Sequence, residues 1–205
     1  MDVLLLGSTG RVGKCVMDVV LSKGHRVTVL VRDKNKINLN HNDLKVIEGD
    51  VYDWSLLKDL SKLHFDAIIN LIGGNPLKPS TAVADAAISV ASFFTEKTYL
   101  YIAATTVAQM KKTFFGHLSV AALELSNLKH AIADHQKAFE IIKASELNWR
   151  LVGCPAIKNG LARGNFKNAG VFPGGFKTIY PGDVALVIAN QLETNINKGI
   201  TGVWY

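Results

Sequence analysis

The chain has 205 residues, 48% apolar and 20% charged, enough for one domain with a buried core and unlike a disordered or collagen-like composition. No apolar run approaches the roughly 20 residues of a membrane-spanning helix, and Met1-Asp2 leads straight into an apolar segment, leaving no room for a signal peptide. The net charge is +6, with a pI near 9.3, but Lys and Arg are dispersed and no nucleic-acid motif accompanies them. Neither a nucleic-acid nor a membrane partner is therefore expected, and attraction of an anionic small molecule accounts for the same charge. Cys15 and Cys154 lie far apart without metal-ligand spacing. No metal site is expected, and the thiols suit the reduced state of a cytoplasmic protein.

Val3 to Leu6 reads as a buried strand and Arg11 to Lys23 as a helix, with Gly7, Gly10 and Gly13 spaced three apart between and into them. Such a turn suits a dinucleotide pyrophosphate: the first glycine permits a sharp turn, the second a close backbone approach, the third tight helix–strand packing. The N–H groups and positive dipole end of the helix then face the anion. By itself the glycine run also fits a tight turn without a ligand, but the second strand, Val27 to Val31, closes a compact βαβ unit. "LKVIEGD" contains a third strand, and "WSLLKDLSKL" a short helix with Leu56, Leu57, Leu60 and Leu63 on one face. "FDAIINLIGG" is a fourth strand ending in Gly73-Gly74, and Ser80 to Lys97 an Ala-rich helix after Pro79. A fifth strand, "YLYIAATT", precedes a helix from Leu128 to Ser145. "NWRLVGCP" is a sixth strand, "PGDVALVIANQLE" a helix and "GVWY" a terminal strand. Ala108 to Gly116 and Lys158 to Phe176 have no regular pattern. The second of these, rich in Gly and Asn, reads either as a mobile flap over the site or as a surface connection.

Strands alternating with helices predict an α/β fold: a doubly wound, mostly parallel sheet with helices on both faces, in a single domain over residues 1–205. Small substrate-side loops are expected at about 106–127 and 156–177. In such sheets ligands sit at the carboxyl ends of the strands. That rule selects Gly7, Ser8, Thr9, Gly10, Arg11, Val12 and Gly13 after the first strand, and Arg32 after the second. It also selects Asp50 and Val51 after the third, Leu71, Ile72, Gly73 and Gly74 after the fourth, Thr105 and Thr106 on the fifth, and Cys154, Pro155 and Ala156 on the sixth. Arg32 stands where an acidic residue would hold a free ribose, which suits a 2′-phosphate and predicts NADP(H) in preference to NAD(H); Asp33, one step on, keeps NAD(H) open. Asp50 can accept from the adenine amino group or serve as an ordinary turn Asp. Thr106 is either a hydroxyl beside the nicotinamide or an ordinary strand-ending threonine. His135 lies on a stripe with Leu128, Ile132, Phe139 and Ile142 and is either a core histidine or a catalytic one.

"GSTGRVG", "VTVLVRD", "EGDVYD", "NLIGG", "ELNWRLVGCP" and "PGDVALVI" resemble, in order, the landmarks of the atypical short-chain dehydrogenase/reductase superfamily. "LIGGNPLKPST", "ATTVA", "ADHQKAFEIIKASELNW" and "CPAIKNG" resemble its flavin reductase and biliverdin-IXβ reductase group. The resemblance implies a Rossmann domain binding NADP(H) and reducing flavins, quinone-like molecules or other conjugated acceptors, as a monomer or homodimer. Two departures matter. No tyrosine has Lys four positions later, so the Tyr-x-x-x-Lys proton donor of the superfamily is missing and carbonyl reduction is not expected. Ala156 stands where the reductase group carries a His. A non-catalytic NADP(H)-binding redox sensor is the alternative function.

Overall fold

The computed structural model describes residues 1–75, 77–94, 100–194 and 198–205. β1 (Asp2–Leu6), β2 (Arg26–Val31), β3 (Leu44–Glu48), β4 (Ala67–Asn70), β5 (Leu100–Thr106) and β6 (Asn148–Cys154) form parallel pairs. β10 (Gly199–Trp204) joins β6 in parallel, and β8 (Lys167–Ala169) closes the edge antiparallel. The order is β3-β2-β1-β4-β5-β6-β10-β8. The chain thus winds outward from β1 in both directions, which places a topological switch point between β1 and β4.

Alternation along β1 explains the layers. Val3 and Leu5 join one core with Val16, Met17 and Val20 of α1 (Arg11–Ser22) and Val184 and Ile188 of α6 (Pro181–Leu192). Leu4 and Leu6 face the other core, with Leu57 and Leu60 of α2 (Trp54–Leu60), Ala87 and Val90 of α3 (Ala82–Phe93), and Ala138 and Ile142 of α5 (Lys129–Ala144). A strand buried on both faces reads as a continuous apolar run, as "VLLL" does.

Several expectations need correction. α2 stops at Leu60, so Leu63 lies beyond it and is exposed. α3 starts at Ala82 rather than Ser80, and the expected continuation over 95–97 lies outside the described residues. The stretch 108–116 is not irregular: a 3₁₀ turn at Val107–Met110 leads into α4 (Phe114–Glu124), whose Thr113 cap accepts from the Gly116 N–H at 2.9 Å.

The stretch 158–176 is a pinned surface connection. Its flanks, β7 (Ala156–Ile157) and β9 (Thr178–Ile179), pair in parallel. Asp183 is fully buried and accepts from the N–H groups of Arg163 and Gly164, at 2.9 and 2.7 Å, and from the Tyr205 hydroxyl. The Arg163 guanidinium lies over the Tyr180 and Tyr205 rings, which touch each other edge to face, at 4.8 and 4.6 Å from their centroids. Phe172 is buried against Trp204 and donates its N–H to the Met110 carbonyl.

Candidate functional site: a two-part cleft at the strand ends

The glycine turn begins at Gly7, whose φ of +79° and contact with the Leu71 backbone exclude a side chain. A Cβ on Gly13 would stand 2.1 Å from the Gly7 carbonyl oxygen, so this glycine lets α1 approach β1. Gly10 has extended backbone and caps α1 without a side-chain bond, leaving the helix's positive end open to an anion.

Above this turn lies a cleft of about 240 Å³, lined by Gly7, Thr9 and Gly10, by Arg32, Asp50, Val51 and Tyr52, and by Leu71, Ile72 and Gly73. Arg32 is exposed and forms no hydrogen bond or ion pair with another described residue. Asp33 is occupied: its carboxylate accepts from the Asn35 N–H at 3.0 Å and caps the 3₁₀ turn Lys34–Lys36. Asp50 Oδ1 accepts from the Tyr52 N–H at 3.1 Å, an Asx turn at the cleft's edge.

A second cleft of about 340 Å³ adjoins the first at Gly73. Gly74, Thr105, Thr106, His135, Cys154 and Pro155 line it. Arg11 lines it too, and its guanidinium reaches across to the Ile157 carbonyl at 3.1 Å and Asn159 Oδ1 at 3.0 Å, tying α1 to the following connection. Ser8, Val12, Gly13 and Ala156 line neither cleft. Ser8 is buried, its Oγ without a partner among the described residues; Val12 packs on the core; Ala156 is exposed on β7.

Chemically the second cleft is quiet. No Tyr or Lys stands among its described lining residues. Burial pushes the Cys154 thiol up to about 12, so it stays protonated and is a poor nucleophile. Tyr101 lies below, bound by Asn70 Nδ2 at 3.1 Å, and burial raises its pKa far above the ordinary phenol value. The Thr106 Oγ1 is shielded from solvent and has no hydrogen-bond partner among the described residues. His135 is half-buried, and burial lowers its pKa against the opposing pull of Asp134, so the ring is neutral near pH 7.

Three neighbours escaped the sequence reading. Buried Asp134 accepts from the N–H groups of Val83 and Ala84, at 3.1 and 2.9 Å, and so caps α3 from α5. Asn70 Oδ1 accepts from the Ile72 N–H at 3.1 Å and fixes the end of β4. Tyr52 reaches over the first cleft to the Ala82 carbonyl at 3.2 Å. Tyr52 sits inside "EGDVYD" beside Asp50, and Asn70 bonds only two residues on, so both could have been found; Asp134 carries no local signal, because its partners lie about fifty residues away.

A dinucleotide fits this groove on the chain's own features: an uncovered helix start at Gly10, an uncommitted cation at Arg32, and backbone without side chains at Gly73, where an added Cβ would meet open space. The family model described as NAD(P)H-binding matches residues 7–195. The chain belongs to this family. Among curated proteins it is 30% identical to phenylcoumaran benzylic ether reductase TP7 of Nicotiana tabacum over 55% of the chain and 40% of that protein. It is 32% identical to eugenol synthase 1 of Petunia hybrida over 40% of the chain and 29% of that protein. The chain therefore spans well under half the length of these two relatives. Among solved structures, a candidate NADH-flavin reductase of Streptococcus pneumoniae superimposes with a TM-score of 0.81 at 20% identity, covering 100% of this chain and 99% of that one. The anaerobilin reductase ChuY of Escherichia coli O157:H7 gives 0.77 at 16% identity, covering 99% and 96%. A short-chain dehydrogenase/reductase of Veillonella parvula in complex with NADP gives 0.73 at 13%, covering 98% and 93%. These likenesses establish the shared Rossmann-like fold.

Proposed function

We propose that the protein is an NAD(P)H-dependent reductase, preferring NADPH, that passes a hydride to a small conjugated acceptor such as a flavin or quinone. The observation that carries this reading is the junction at Gly73 of two clefts, one holding the glycine turn with Arg32 and Asp50, the other with no Tyr–Lys proton donor among its described lining residues. When bound, NAD(P)H supplies the hydride. The α1 start at Gly7 to Gly13 holds the pyrophosphate, Arg32 takes the 2′-phosphate, and Asp50 Oδ2 accepts from the adenine amino group. Thr105, Thr106, Cys154 and Pro155 bound the nicotinamide side.

His135, neutral at the cleft wall, orients the acceptor by hydrogen bonding rather than by charge. A ring with a strong hydride affinity can take its proton from water, so the chain needs no acid of its own. A ketone or aldehyde would need one. The quiet second cleft also suits the alternative, an NADP(H)-binding redox sensor without turnover, acting as a monomer or homodimer. Offering NADPH with FMN, a quinone, a tetrapyrrole and simple ketones separates the readings. NADPH oxidation with FMN or a quinone and none with ketones is expected. Tight NADPH binding without any oxidation would assign the sensor, and oxidation with ketones alone would overturn the proposal.

A further inference from the structure

α4 is an unusual surface helix. Between Phe114 and Leu123 its one titratable side chain is His117, yet only Gly116 and Val120 are buried. Phe114, Phe115 and Leu118 are 78, 67 and 60% exposed, and Leu125, just beyond the helix, is exposed too. An apolar helix normally hides most of its surface. The Phe114 and Phe115 rings touch edge to face, with centroids 5.6 Å apart.

The second expected loop adds to the same patch. Gly175 donates its N–H to Ser119 Oγ at 2.8 Å, and Gly174 packs so closely on the Phe115 backbone that a Cβ would stand 2.6 Å from its carbonyl carbon. Phe176 follows and is fully exposed. Four large apolar side chains from two segments thus share one surface, and none of them lines either cleft. A patch of this kind marks an interaction site, whereas scattered exposed apolar residues do not.

Charge decides the partner. From Lys111 to Leu123 and from Lys158 to Gly182 the sequence has no Asp or Glu, while it carries six Lys or Arg. Lys112 precedes Phe114 by two residues, and Lys177 follows Phe176 directly. Lys111 is paired with Glu124 at 3.3 Å. A second copy of the chain would set these cations against their own kind, since Glu124, the carboxylate that ends α4, is already engaged by Lys111. Projecting aromatic side chains flanked by lysines instead match the headgroup region of a bilayer, where rings enter the acyl boundary and cations meet lipid phosphates.

We propose that α4 and the Gly174–Lys177 segment form a docking surface for an anionic phospholipid membrane. This is surface attachment, not spanning, and it revises the expectation of no membrane partner drawn from the lack of a long apolar run. The surface stands independently of the cleft's chemistry.

Co-sedimentation of the full chain with phosphatidylcholine vesicles, with and without phosphatidylglycerol, tests the proposal. Binding to the phosphatidylglycerol vesicles at low salt is expected, weakening on pure phosphatidylcholine and at high salt. Phe114→Ser with Phe176→Ser should lower partitioning about tenfold or more, and Lys112→Glu with Lys177→Glu about tenfold, with loss of the salt dependence. Circular dichroism and melting temperature verify that each variant is folded, and the lysine pair alone suffices should the serine pair not fold. Absence of binding to phosphatidylglycerol vesicles, or binding indifferent to both pairs, overturns the proposal. So does a lipid-free dimer, seen by light scattering, that the serine pair dissociates, since that outcome assigns the face to a second copy.

Discussion

At Gly10 an added Cβ would come 3.3 Å from the Gly7 carbonyl, a tight but tolerable approach, and the backbone is in a region open to any residue. At Gly13 the same atom would stand at 2.1 Å from that oxygen. The two glycines therefore separate binding from folding. Gly10→Val should keep the melting temperature within a few degrees of the parent and lose NADPH affinity, read by fluorescence titration; Gly13→Val should fail to fold. A Gly10→Val protein that binds NADPH as tightly as the parent would remove the pyrophosphate from this turn. Arg32 decides the cofactor at the same scale. Its guanidinium is uncommitted, while Asp33 is consumed as a cap. Arg32→Ala should lower NADPH affinity by one to two orders of magnitude, at about 1.5–3 kcal/mol per charge-assisted bond, and leave NADH nearly unchanged. Equal loss for both cofactors would deny Arg32 a 2′-phosphate role.

Among elements, α3 shows what a sequence cannot display. Its start is marked by Pro79 and Ser80, but Thr81, the N-cap residue, makes no side-chain cap bond. Ser80 Oγ accepts from the Ala82 N–H at 3.2 Å, but the next two N–H groups are capped by Asp134, about fifty residues on. Asp134→Ala should destabilise the protein by about 2 kcal/mol or more, lowering the melting temperature by about 5 °C, because two N–H groups lose a charged acceptor. Asp134→Asn should recover part of that, since its Oδ1 still accepts one bond. The central parallel strands were legible because burial on both faces leaves unbroken apolar runs such as "VLLL" and "AII", the first followed by Gly7 and the second by Asn70. α4 was not, because an apolar helix without a polar face has no 3.6-residue period to read. The short β7, β8 and β9 are held by Asp183, Arg163 and Phe172, contacts between residues distant in sequence, so their composition reads as loop.

For the whole molecule, the groove at the carboxyl ends followed from strand order and the glycine turn, and most residues chosen on that rule meet around Gly73. What did not follow was direction: Arg11 turns to Ile157 and Asn159, and the Thr106 hydroxyl is shielded. Two histidines, His25 buried and His135 half-buried, tie stability to pH. Burial, and then the Met1 ammonium beside it, lowers the His25 pKa; burial lowers that of His135. Below about pH 6.5 the unfolded chain takes up protons that the folded chain refuses, so stability is complete above that value and falls as the pH drops toward the folded values. Denaturant midpoints should decrease from about pH 7 to about pH 5.5, and His25→Gln with His135→Gln should flatten the slope. An unchanged slope would show that neither ring resists protonation in the folded state. The central claim is that the groove transfers a hydride, and anaerobic mixing of the NADPH-loaded protein with FMN in a single turnover tests it most directly. The account predicts flavin bleaching in step with NADPH loss, one for one; bound NADPH that persists beside unreduced FMN would contradict it.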